Sequence, residues 1–230
     1  MDEKLLPRGS ASGTFKRLDS EYQGGNRVYV RSVADPNETY DTLVDQETGE
    51  FRFPNLHVGI YTISASLWPQ FAGEQFVPHT PDPAKAQRFT ITPDGSVTAS
   101  DVFAPLRTIT AHVNAADGKP AVKESVDIFP SHSGSVGWTY RDTDANGNVT
   151  FDALPGLYHF ATKPDGIGNF RQYFPSTLVR SKAKTYEVTS DGTTDTPTDT
   201  LLPKTTASGR LVTANGEPVQ RVYVELVVDG

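Results

Sequence analysis

The run Asp142-Thr143-Asp144-Ala145-Asn146-Gly147 sets three oxygen-bearing side chains at alternate positions ahead of a glycine. A calcium loop begins this way, with hard oxygen ligands from Asp142, Asp144 and Asn146 and a glycine at the sharp turn. The acid that completes such a loop at its twelfth position is missing, because Ala153 stands there. In the first half of the chain the corresponding slots hold Val44, Gln46 and Thr48. The competing reading is an Asn-Gly hairpin turn with polar flanks, which needs no metal. No cofactor is expected. The five histidines, His57, His79, His112, His132 and His159, include no H-E-x-x-H pair. Ser131–Gly137 reads SHSGSVG, which misses the G-x-S-x-G pattern and lacks the helix that exposes such a serine. No catalytic residue is assigned, and an enzyme is not expected.

Aromatic side chains are the ligand-binding candidates. Trp68, Phe71 and Phe76 lie in one long irregular segment, Leu67–Ala86, and Phe170, Tyr173 and Phe174 in another, Pro164–Ala183. Trp138 sits apart from both. Flat rings stack on sugars or anchor a protein partner. The other reading is that they cap the fold or pack between neighbouring units. Their recurrence favours that, because a feature repeated in every unit is more simply architecture.

The elements that would position these residues repeat. ASGTFKRLDSEYQGGNRVYV at Ala11–Val30 matches ASGRLVTANGEPVQRVYV at Ala207–Val224, and QETGEFRFPNLHVGIYTI at Gln46–Ile63 matches DANGNVTFDALPGLYHF at Asp144–Phe160. Arg27 and Arg221 stand 221 − 27 = 194 residues apart, two periods of about 97. A period that long is a whole domain. Within each copy, short segments alternate at period two between Gly- and Pro-rich turns, as RVYVRSV and IYTISAS do. The expected fold is all-β: tandem seven-stranded antiparallel sandwiches. The expected division is residues 1–10 as tag or linker, 11–105 as the first sandwich, 106–203 as the second, and 204–230 as the incomplete start of a third. That last piece holds only two strands and cannot bury a core. It is expected to be disordered or to dock as added strands on another sheet, which would make residues 204–230 a route to self-association.

Composition narrows the partners. With 21 basic and 28 acidic residues, the net charge is −7 and no basic stripe of a nucleic-acid binder stands out. No segment approaches the roughly 18 apolar residues of a membrane helix. The chain has no cysteine, which excludes disulfides and thiolate metal sites. MDEKLLPRGS lacks the apolar core of a signal peptide. It resembles a protease-cleavage scar, and a native linker is the other reading.

The order G-x-P-V, V-x-V, TDANGNVTF, L-P-G-x-Y, an aromatic-Pro loop and V-T-x-D-G resembles the carboxypeptidase regulatory-like module, a transthyretin-like (Ig-like) sandwich. Relatives of that module include the B-type repeats of Gram-positive collagen-binding surface proteins. Thr143–Tyr158 carries the resemblance best; the first copy is looser, with HVGIY in place of LPGLY. The resemblance implies a secreted or envelope location and a non-catalytic structural or adhesive stalk; it does not itself imply a ligand, and a protein or polysaccharide partner is the expectation that the aromatic candidates carry. The alternative is a carbohydrate-binding accessory module of a larger extracellular enzyme. Many B-type relatives crosslink a first-strand Lys to a last-strand Asn beside a buried acid. Lys16 and Asp101 stand at the end strands of the first copy, but neither fifth strand carries the acid, so no crosslink is expected.

Overall fold

Alternating residues become strands that bury one face: Arg27–Ser32 hides Val28, Val30 and Ser32 and leaves Arg27, Tyr29 and Arg31 half-buried. The computed structural model describes residues 7–17, 26–35, 37–67, 72–132, 134–163, 171–193, 196–203 and 208–222. In the first repeat these form β1 (Arg8–Lys16), β2 (Arg27–Ser32), β3 (Thr39–Leu43), β4 (Glu50–His57), β5 (Gly59–Ser66), β6 (Glu74–Phe76), β7 (Phe89–Ile91) and β8 (Ser96–Val102). The second repeat comprises β9 (Arg107–Asn114), β10 (Ser125–Pro130), β11 (Thr139–Asp142), β12 (Asn148–Ala153), β13 (Gly156–Thr162), β14 (Gln172–Tyr173), β15 (Tyr186–Thr189), β16 (Gly192–Thr193) and β17 (Thr198–Thr200). Two single 3-10 turns, Pro83–Lys85 and Arg180–Lys182, are the helical elements among the described residues.

Four sheets result. In the first repeat β4-β1-β8 faces β3-β2-β5-β6, with β7 also on β5; in the second, β12-β9-β17 faces β11-β10-β13-β15-β16, with β14 also on β13. Two features differ from the seven-stranded antiparallel expectation. The described strands number eight and nine, because the chain beyond β5 and β13 breaks into short strands that share one partner. The last strand of each repeat also runs parallel to the first, pairing Thr14 with Ser100 and Val113 with Asp199. Those strands cross over from the opposite sheet, so no hairpin forces them antiparallel.

Residues 8–10, set apart as tag or linker, belong to β1: Arg8 pairs with His57, Gly9 with Leu56 and Ser10 with Ser96. Main-chain pairing needs no apolar side chain, so composition could not reveal it.

Buried apolar residues fall into two clusters. Val28, Val30, Phe51, Phe53, Tyr61, Ile63, Ile91 and Phe103 belong to the first, and Ile109, Val126, Ile128, Val149, Phe151, Tyr158, Phe160 and Phe174 to the second. Leu154 of the second repeat lies in the first cluster, while Ala72 of the first repeat lies in the second. Each sandwich therefore completes its core with a residue of the other.

The third repeat opens with the same turn as the second. Thr213 N donates to Glu217 O at 2.8 Å as Ala115 N donates to Lys119 O at 2.7 Å, and Gly216 and Gly118 hold φ of 82° and 83°. Local sequence makes this turn without a core beneath it. Leu211, Val212 and Val222 are exposed, and among the described residues no strand of this segment joins either sandwich. Residues 223–230, on which the docking expectation chiefly falls, lie outside the described residues.

Candidate functional site

The aromatic candidates separate. Phe76 and Phe174 are buried, at 3% and 0% exposure, so neither is a ligand platform. Phe174 packs 5.7 Å from Phe160, ring centre to ring centre. Phe76 ends β6, all three of whose residues are buried, and Phe174 directly follows β14. Tyr173 is half-buried against Phe129, with ring centres 6.2 Å apart. Trp68, Phe71 and Phe170 lie outside the described residues. Of the described candidates Trp138 is the one that stands clear, 44% exposed, beside Tyr140, 57% exposed; the rings lie 6.2 Å apart at 24°.

The acidic run closes a turn. Asp144 Oδ1 accepts from the Asn146 and Asn148 amides at 2.8 and 2.9 Å. Asp142 is exposed at the end of β11, and no group of three His, Cys, Asp or Glu among the described residues is placed to hold a metal. The equivalent acid in the first repeat is Asp45, one residue off the expected slots, whose Oδ1 accepts from the Glu47 and Thr48 amides at 3.0 and 2.8 Å. The two end-strand residues Lys16 and Asp101 do not converge either. Lys16 is exposed, and the Asp101 carboxylate accepts from Gln75 Nε2 at 3.1 Å and from His79 N at 2.6 Å.

The two repeats join through main chain. Ala72 N donates to Asp152 O at 3.1 Å, Leu154 N to Ala72 O at 2.9 Å, and Gly73 N to Gly137 O at 2.8 Å. Gly137 holds φ at +78°, and a Cβ there would lie 2.1 Å from Gly73 O; on Gly73, at φ +127°, it would lie 2.6 Å from Tyr158 Oη. Only glycine allows both the backbone conformation and the approach.

Beside this contact the Glu74 carboxylate is fully buried. It forms an ion pair with Arg31 and accepts from Ser64 Oγ at 2.5 Å. Its Oε2 reaches the second repeat, accepting from Val136 N at 3.2 Å with His132 Nε2 3.4 Å away. Around it lie a cleft of about 590 Å³, lined by Glu74, Asp82, Lys85, His132, Leu157 and Glu187 among others, and a depression of about 370 Å³ between Tyr29 and Trp138. One period on, the arrangement inverts: the buried acid is Asp127 on β10, held by Lys163 Nζ at 3.2 Å and Arg171 Nη2 at 3.0 Å.

A second polar device recurs unchanged. Gln75 Nε2 donates to Asp101 and to Val102 O while its Oε1 accepts from Ala104 N at 2.8 Å. Gln172 does the same with Asp199, Thr200 O and Leu202 N, the last at 2.7 Å. It ties the final strand of each repeat to the opposite sheet. Burial raises the Asp199 carboxyl above the usual range, against the lowering effect of donors from Ser176 and Gln172. At the far end of the first repeat, Glu38 is held below its ordinary value, first by its hydrogen bond to His57 and further by those from Tyr40 and Tyr61. Tyr61 and Tyr158 each donate back to a carbonyl four residues earlier, at 3.0 and 2.6 Å, and burial raises both phenols.

Sequence reading missed Gly73, Gly137 and the Gln–Asp tie. For the tie a signal existed: Gln75 and Gln172 each stand three residues before a proline, 97 residues apart. The glycines carried none, since each meets its partner across the repeat boundary.

No family model matches the chain, and no curated protein matches it. Among solved structures it is similar to the Bacillus anthracis TIE protein, at 15% identity and a TM-score of 0.28, over 85% of this chain and 33% of that one. The minor pilin GBS52 of Streptococcus agalactiae gives 11% identity and a TM-score of 0.40 over 88% of this chain and all of its own. A streptococcal ancillary pilin gives 13% and 0.36 over 87% and 64%. The chain thus spans about a third of the first of these and the whole of the second.

Proposed function

We propose that this chain is a non-catalytic spacer of a secreted or envelope protein, in which two sandwiches are locked into one rigid unit. The observation that carries the reading is the exchange at the junction: Leu154 enters the first core, Ala72 enters the second, and Gly73 bonds Gly137. A flexible linker would leave the sandwiches free to rotate; this contact holds backbone to backbone. Inter-domain motion is the default unless an interface is well packed. Three buried acids and the partly buried Asp101 are consistent with the same role. Glu74, Asp101, Asp127 and Asp199 each bind side chains or amides of the scaffold, and none projects free into a cleft. The stalk role and the location follow from the resemblance in the motifs.

The absence of native cysteine makes the test clean. Spin labels on cysteines introduced at exposed Arg52 and Glu187 report the distance between the repeats. A single narrow distribution is expected. A broad one, as wide as that of a flexibly tethered pair, overturns the rigid-spacer reading.

A further inference from the structure

We propose that the depression between Tyr29 and Trp138 binds an anionic sugar residue of an acidic polysaccharide, a binding role beyond that of a spacer. It lies at the junction and is lined by Arg27 and Tyr29 of the first repeat and Ser135, Val136, Gly137 and Trp138 of the second. Its volume of about 370 Å³ lies at the small end of ligand sites, room for a single ring. Aromatic walls suit the apolar C–H face of a pyranose, and Trp138, a residue 44% exposed beside a depression, is not serving the core. Ser135 also lines the depression; its Oγ donates to Pro130 O at 3.0 Å and keeps lone pairs that can accept from a sugar hydroxyl.

Charge selects the acidic class. Arg27 lines the depression, and the Lys163 ammonium stands 5.7 Å from the centres of both the Trp138 and Tyr140 rings. Among the described residues Arg27 pairs with Asp41 and Lys163 and Arg171 share Asp127, three cations against two carboxylates, while the neighbouring Glu74 is matched by Arg31. On a chain of net charge −7 this patch is locally positive, and its cations can pair with a carboxylate or sulfate on the sugar. The first repeat has no second copy of the arrangement, because the positions one period before Asp127 and Arg171 hold Tyr29 and Glu74. The site therefore exists once, where the two repeats meet.

Calorimetric titration of the intact chain tests this with three probes of equal length: a galacturonate hexamer, a sulfated glucan hexamer and neutral cellohexaose. At least one anionic hexamer is expected to bind ten-fold or more tightly than the neutral one, and which of the two binds identifies the acidic group. Trp138→Ala and, separately, Arg27→Gln are each expected to weaken that binding at least five-fold, with the thermal transition unchanged as the control for folding. Lys163→Gln serves as a second variant should Trp138→Ala unfold. Equal binding of the neutral hexamer, binding untouched by these substitutions, or no binding of either anionic hexamer at millimolar concentration would each overturn the proposal. None of these outcomes bears on the spin-label distance, so the two readings stand or fall apart.

Discussion

Equivalent faces of the two repeats are finished differently. In the first, Arg31 and Glu74 are covered by the second repeat, whose His132 ring packs 5.6 Å from Phe76 and whose Val136 amide binds Glu74. In the second, the same positions hold Phe129 and Arg171, and the sheet covers itself: His159, Tyr173 and the Arg180 guanidinium pack on Phe129, the last 5.3 Å from its ring centre. The polarity of the buried ion pair is also reversed, with the cation on β2 in one repeat and the acid on β10 in the other. A shared backbone thus fixes where a polar group must be neutralised, while the neighbour decides which sign goes where. The ends differ for the same reason. Leu154 enters the first core, whereas its counterpart His57, at the distal end of the first repeat, is half-buried and paired with Glu38.

The largest expected effect tests whether each repeat has a core of its own. Phe151, fully buried, should cost about 3–5 kcal/mol on replacement by Ala. Chemical unfolding followed by amide exchange should place the loss mainly in the second repeat; a loss below about 1 kcal/mol would mean that the inward face is wrongly assigned.

Gly137→Val attacks the junction itself. A side chain at that φ costs about 1–3 kcal/mol even before its overlap with Gly73 O. The expected result is an opened junction, seen in calorimetry as one unfolding transition splitting into two and in the spin-label distances as broadening. A single unchanged transition would separate rigidity from this contact.

Asp101→Ala and Asp199→Ala probe the device the repeats share. Each removes one of the two acceptors of a buried glutamine amide, at about 1–3 kcal/mol. Equal losses, measured by denaturant midpoint, would confirm that the tie is equivalent in both copies; a loss in only one would show that the copies have diverged there.

Asp144→Ala should cost about 0.5–1.5 kcal/mol through the two turn amides it releases. Millimolar calcium should leave the melting temperature of the parent chain unchanged; a rise of several degrees would restore the metal reading.

The smallest effect concerns acid. Because the folded chain holds Glu38 below its ordinary value, its stabilising contribution is present above the unfolded value and is lost as pH falls through the depressed one. Glu38→Gln should flatten that acid limb in the first repeat by less than about 1 kcal/mol, since the pair is partly exposed. Thermal melts across the acid range would reveal it. An unchanged limb would place the acid sensitivity elsewhere.

Much of this was readable in the chain. Period-two alternation in RVYVRS and NVTFDA marked strands and the face they bury, since side chains in a strand must point to opposite sides. The offset of about 97 residues is a property of the chain alone, and the turn at Thr213–Glu217 shows local sequence setting geometry where the flanking apolar residues are exposed. The aromatic candidates divided because Phe76 and Phe174 turn inward and Trp138 outward, which depends on strand ends that the sequence does not mark. Strand alternation, turn chemistry and repeat length are short-range properties, and the amino-acid sequence by itself determined them. The parallel closing strand, the inclusion of Arg8–Ser10 in β1, the crossing of Leu154 into the first core and the Gly73–Gly137 contact came only with the tertiary structure. Each depends on segments far apart in the chain meeting through main chain or across a repeat boundary, where neither periodicity nor residue type leaves a local trace.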